Sequence, residues 1–169
     1  MLTIADIKVI EEQIGRPPRG LVDVVVRNAV GRPRVILVKP LVDDQPFPTH
    51  YWLTDPQIVK QISAIEGQGF IKEIEALIAS DSDIRASHLR DQDRYEKDRE
   101  ALIDTYIDAD KSQTLKAQMH GLGIGGLADH GRVRCLHMFY ADHLVQGNTV
   151  GYWIDRIFSH RDEKIIRIR

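Results

Sequence analysis

The 169-residue sequence predicts an α+β fold: a small antiparallel sheet within about residues 21–54, covered by helices, with a long charged helix near residues 83–109. Three observations carry this reading. Two β-branched runs, residues 21–26 and 34–39, flank a turn-forming stretch at residues 28–33, the pattern of a β-hairpin. Isoleucines recur at helical spacing on both sides of that hairpin. Residues 71–110 hold twelve acidic and six basic side chains on a sparse helical period, the composition of a mostly solvated helix.

The elements follow in order. Residues 3–14 place Ile4, Ile7, Ile10 and Ile14 at three-and-four spacing, with Thr3 as N-cap and Gly15 as stop. Two prolines and two glycines then turn the chain into the hairpin. Pro46 and Pro48 mark a loop, after which residues 50–53 form a third short strand that brings Tyr51 and Trp52 to the core. Asp55 precedes Pro56, so it caps a helix running to about residue 66, which Gly67 and Gly69 end. A short helix over 71–79 precedes the long one, whose narrow apolar stripe is Leu89, Tyr95, Leu102 and Tyr106. That stripe either packs on its own domain or pairs with a second copy, which would make a homo-oligomer. Residues 111–120 are helical, 121–126 a Gly-rich loop, and 133–145 a helix with Leu136, Phe139, Tyr140 and Leu144 inward. Residues 150–158 are a last aromatic-rich helix or turn, and 165–168 a strand or loose tail. At roughly 100–200 residues per domain, residues 1–169 are expected to form a single domain.

Composition removes several function classes. A net charge of −2 argues against a dedicated duplex-DNA binder, and the arginine-rich stretch before Phe47 has no aromatic to stack single-stranded bases, so nucleic acid is an unlikely partner. The longest apolar runs are far shorter than the roughly 20 residues a membrane-spanning helix needs. Asp6, Glu11 and Glu12 replace the basic region of a secretory signal, and Cys135 is the sole cysteine, so a cytoplasmic protein is expected.

Charge is unevenly spread. Residues 13–40 carry Arg16, Arg19, Arg27, Arg32, Arg34 and Lys39 against Asp23 alone, a net of +5. Guanidinium forks suit phosphate and carboxylate groups, so this stretch either binds an anion or pairs with the 71–110 carboxylates. Residues 121–126 contain G-x-G-x-x-G, but no strand precedes them and the dinucleotide reading fails. The loop still offers backbone N–H groups through Gly123, Gly125 and Gly126, beside Arg132 and Arg134, unless it is a hinge without a ligand. Cys135 and His137 are the most reactive pair, candidates for nucleophile, base or metal ligand. Two residues along a helix is about 200°, so they diverge unless the helix begins after them. No H-E-x-x-H, C-x-x-C, G-x-S-x-G or Walker loop occurs, and no cofactor is readable.

The segments 11–20 (EEQIGRPPRG), 46–56 (PFPTHYWLTDP), 123–126 (GIGG), 133–137 (VRCLH) and 148–151 (NTVG), in that order, resemble the bacterial domain of unknown function 501 family. The resemblance implies no established activity. It does imply cysteines at the positions of Asn28, Asp55 and Cys135, with His137 completing a tetrahedral metal or iron–sulfur ligand set. Two of those four positions differ here. Either a harder site of Asp55, Cys135, His137 and His50 replaces it, or the site is lost and Asp55 and Asn28 serve as helix cap and turn residue. The leading expectation is a protein that holds a phosphate-bearing or other small anionic ligand on Arg16, Arg19, Arg32, Arg132, Arg134 and the glycine loop, with Cys135 and His137 adjacent and catalysis left open. The alternative is an interaction module that docks through residues 83–109.

Overall fold

The computed structural model describes the backbone of residues 2–166 and the side chains of residues 2–158. Helix α1 (Ile4–Ile14) begins in a capping box: the Thr3 hydroxyl accepts from the Asp6 backbone N–H, and the Asp6 carboxylate accepts from Thr3 N–H. Gly15 ends it at φ 72°, a left-handed conformation that costs glycine little. Strands β1 (Leu21–Arg27) and β2 (Pro33–Val38) form the expected antiparallel hairpin, closed by Asn28, whose side-chain oxygen accepts from Val30 and Arg32 N–H. Between β2 and the third strand, β3 (Leu41–Val42) and β4 (Gln45–Pro46) make a separate two-stranded ribbon where the sequence predicts only loop. Two-residue strands are too short to show alternation. Strand β5 (Tyr51–Leu53) pairs with β2, giving a three-stranded sheet of order β1-β2-β5.

The sheet lies between two helical layers. Ile36 and Trp52 stand opposite each other and, with Val38 and Val24, pack beneath Ile10 and Ile14 of α1. Tyr51 and Leu53 point the other way, because strand side chains alternate, and join the main core. That core is built by α2 (Pro56–Gly67), α3 (Phe70–Ser80), α4 (Ser82–Tyr106), α6 (Leu136–Gln146) and α7 (Thr149–Ile166), with Leu136 and Phe139 of α6 at its centre. Helix α5 (Ala109–Met119) packs by Leu115 and Met119 against Ile103 of α4. Asp55 caps α2 as predicted, accepting from Gln57 and Ile58 N–H. The last helix extends to Ile166, so the strand or tail reading does not hold at Ile165 and Ile166, and residues 167–169 lie outside the described residues. Among the described residues no helix is long and apolar enough to cross a membrane.

The long helix departs from its predicted orientation. Leu89 and Tyr106 are exposed, and the buried stripe is His88, Gln92, Tyr95, Arg99 and Ile103. Each of the polar four is spaced by three or four residues, so they share one face. Gln92 Oε1 accepts from Ile124 N–H at 2.7 Å, Tyr95 hydroxyl accepts from His50 N–H at 3.0 Å, and Arg99 donates to the carbonyls of Pro48, Met119 and Leu122. The helix is held by main-chain groups of irregular segments, which hydrophobic periodicity does not register.

The basic stretch is also paired otherwise than expected. Arg19, Arg27 and Arg34 bind Asp43, Asp6 and Asp55, all within the first 55 residues, while none of the three binds a carboxylate of residues 71–110.

The α4 interface generates a paired prediction. Gln92→Leu, which adds apolar character to the buried face, leaves the Ile124 N–H without its acceptor and lowers urea stability by about 1–3 kcal/mol. Leu89→Gln, on the exposed side, changes stability by no more than about 0.5 kcal/mol. Equal effects in the two variants would contradict the orientation of α4.

Candidate functional site

Cys135 and His137 are brought together because α6 starts between them. Cys135 is the N-cap residue, with extended backbone at φ −149° and ψ 116°, and the helix begins at Leu136 rather than at residue 133. Its Sγ then lies 3.6 Å from His137 Nδ1. Two carboxylates from neighbouring helices fix this entry. Glu66, in the last turn of α2, accepts from Leu136 N–H at 2.6 Å, and Glu75 of α3 accepts from Val133 N–H at 2.9 Å. The Glu66 carboxylate thus satisfies one of the donors that the helix start leaves free, and Glu75 fixes the chain that leads into it.

Glu66 does more than cap. Its Oε1 lies 3.4 Å from His137 Nδ1, and the ligand-type atoms of Glu66, Cys135 and His137 all lie within 4.8 Å of one another. The other ring nitrogen of His137 is 3.2 Å from the Val59 carbonyl and 3.1 Å from Ser63 Oγ, both on α2. A carbonyl only accepts, so Nε2 carries a hydrogen. Nδ1 therefore faces a sulfur and a carboxylate oxygen, and a positive centre between them, a proton or a metal ion, satisfies all three. Contact with Cys135 raises the His137 pKa above its ordinary 6.5, and the charge of Glu66 adds to this, against partial burial, which opposes the charge.

The pair opens onto a cleft of about 330 Å³ lined by Phe47, Thr49, Tyr51, Trp52, Leu53 and Met138 beside Cys135 and His137. The wall is mostly apolar, in keeping with a small-molecule cavity carrying few polar groups.

The remaining predicted residues are dispersed. Asp55 caps α2 and binds Arg34 at 3.2 Å, and Asn28 closes the β1–β2 turn, as the cap-and-turn alternative states. His50 is fully buried and stacks on Tyr95 at 3.9 Å, where burial and the nearby Arg99 and Arg94 push its pKa down to about 3. Neither Asp55 nor His50 joins Cys135 and His137 in a ligand cluster. Arg19 and Arg32 flank opposite ends of β1, whose seven residues span about 20 Å. Arg132 is held by Glu75 at 2.9 Å, and Arg134 is exposed. Arg16 and Arg19 line one cleft, which Arg32, Arg132 and Arg134 do not line.

The glycine loop is a packing device. Gly123 N–H donates to Leu127 carbonyl, Ile124 N–H to Gln92, and Gly126 N–H to Gly123 carbonyl, so these donors are spent internally. A Cβ on Gly125 would come 2.7 Å from Met138 Sδ, and one on Gly126 2.7 Å from Pro48. The absence of side chains lets the loop support Met138, one wall of the cleft. Glu66, Ser63 and Met138 are the site residues that sequence reasoning missed, and Glu66 has no local signal beyond standing before Gly67.

The geometry defines a class, an α+β protein with a thiol–imidazole–carboxylate centre at an apolar cleft. Residues 24–156 match the family described as Protein of unknown function (DUF501), and the chain belongs to that family. The matched range contains Glu66, Cys135 and His137, and Arg16 and Arg19 lie before it. No curated protein and no solved structure matches the chain.

The raised His137 pKa has a pH consequence with a definite sign. The folded state holds the His137 proton more tightly than the unfolded chain, so this stabilisation is complete below about pH 6.5 and is lost as pH rises through the folded value. In metal-free protein the urea midpoint of the wild type should fall more than that of His137→Gln between about pH 6 and about pH 8. Parallel slopes would show that Nδ1 gains no proton from its surroundings.

Proposed function

We propose that the protein binds a divalent metal ion of the zinc class through Glu66, Cys135 and His137, with one coordination position left for a ligand from the apolar cleft. The observation that carries this is the spacing of the donor atoms around His137. A tetrahedral zinc with sulfur at about 2.3 Å and nitrogen at about 2.0–2.1 Å sets those atoms about 3.5 Å apart, and nitrogen and oxygen about 3.3 Å apart. The distances here are 3.6 Å and 3.4 Å. The Val59 carbonyl on Nε2 supplies the second support, since a metal-bound histidine ordinarily donates its other N–H to such a group and so keeps the ligating nitrogen unprotonated. Three protein ligands with a free fourth position is the composition of reactive rather than closed structural zinc sites.

Metal content after purification and zinc titration tests the proposal. Wild type and Asp55→Ala should each hold about one equivalent of zinc, and Cys135→Ser should hold none. Glu66→Gln retains an acceptor for Leu136 N–H but loses the carboxylate charge, and should bind at least about tenfold more weakly. Failure of wild type to bind zinc, or equal binding by Cys135→Ser, would overturn the reading.

A second reading rests on the 3.6 Å contact of Cys135 Sγ with His137 Nδ1: without a metal, Nδ1 serves as the base that takes the Cys135 proton as the sulfur attacks an electrophile. It predicts zinc-free protein whose Cys135 alkylates rapidly, and slowly in His137→Gln.

A further inference from the structure

We propose a second site, independent of the metal reading: the cleft between the residue 16–19 segment and the sheet takes a small organic carboxylate with a short apolar body. The cleft encloses about 190 Å³, floored by the buried Ile36 and Val38 and walled by Phe47 and Trp52. A cavity of about 150 Å³ holds a benzene molecule, so this cleft has room for a short alkyl chain or one ring. Its polar groups gather at the mouth. The Arg16 guanidinium lies over the Trp52 ring at 5.1 Å from the centroid and, among the described residues, pairs with no carboxylate. A planar cation parked on an aromatic face keeps its in-plane donors available, and those match one carboxylate in a two-bond fork.

Arg19 stands at the same mouth but is bound to Asp43 at 2.8 Å. Asp43 and Asp44 occupy the turn between β3 and β4 with φ of 51° and 57°, left-handed values that place the Asp43 carboxylate beside Arg19. One free guanidinium over an apolar floor suits a monoanion that carries its own hydrophobic body. A phosphate group, more highly charged and fully hydrated, finds one cation and an apolar floor here. This site shares Phe47 and Trp52 with the Cys135 cleft as a common wall, and none of its polar groups belongs to the metal centre.

The 169-residue chain can be titrated with sodium hexanoate, hexan-1-ol and sodium phosphate while the Trp52 indole N–H is followed by NMR. Hexanoate should shift that signal saturably, hexanol should bind about tenfold or more weakly, and phosphate should leave it in place. Arg16→Gln, a change at an exposed position, should weaken hexanoate about tenfold. Asp43→Asn should tighten it about two- to threefold, because Arg19 is released and asparagine accepts the left-handed turn conformation. Equal binding of hexanol and hexanoate, a response to phosphate, no response to hexanoate, or an unchanged affinity in Arg16→Gln would each overturn the proposal. Because Trp52 also walls the Cys135 cleft, the titrations are made on metal-free protein, and the Arg16→Gln arm assigns the response to this site.

Discussion

The structure depends on the buried polar face of α4. A 25-residue helix whose buried stripe sets His88, Gln92 and Arg99 beside Tyr95 and Ile103 cannot be held by hydrophobic burial alone. Its partners are backbone groups of segments that have no ladder of their own: the approach to β5 at Pro48 and His50, the end of α5 at Met119, and the glycine loop at Leu122 and Ile124. A buried polar group left unpaired costs about 1–3 kcal/mol, so the helix and the loops specify each other's position. Arg99 is the most demanding member. Burial pushes its pKa down, yet a guanidinium stays charged, and it spends that charge on three carbonyls.

This arrangement reaches the site through two of those segments. Tyr95 and Arg99 anchor the chain that presents Thr49 and Tyr51 to the cleft, and Gln92 anchors the loop whose Gly125 packs on Met138. The opposite wall comes from α2 meeting the start of α6. Glu66, Val59 and Ser63 all bond to the Leu136–His137 turn, so the imidazole is oriented by a neighbouring helix and the thiol by the N-cap backbone. The centre rests on regular elements, the placement that holds donor atoms to a fraction of an ångström.

Much of the fold was legible because its signals are local. The Thr3 and Asp55 caps, the glycine stop at Gly15 and the Asn28 turn each reveal an element boundary through chemistry confined to a few residues. The errors share a cause. Hydrophobic periodicity assigned Leu89 and Tyr106 to the buried face of α4; Tyr95 is buried as expected, but beside it lie Gln92 and Arg99, polar residues bonded to distant backbone. Charge distribution offered pairing of the residue 13–40 arginines with the acids of residues 71–110 as one alternative, yet Arg19, Arg27 and Arg34 took Asp43, Asp6 and Asp55. At the site, Cys135 and His137 were legible as reactive residue types, but their meeting depends on a helix that starts one residue after the cysteine. Glu66 was illegible, since its role comes from the packing of α2 on α6 some 70 residues away in sequence.

The zinc K-edge X-ray absorption spectrum of zinc-loaded protein tests the central claim most directly. Glu66, Cys135 and His137 predict one sulfur at about 2.3 Å and the remaining nitrogen and oxygen ligands at about 2.0–2.1 Å, with the sulfur shell absent from Cys135→Ser. A spectrum of nitrogen and oxygen ligands alone in the wild type would contradict the account, because Cys135 would then not be a ligand.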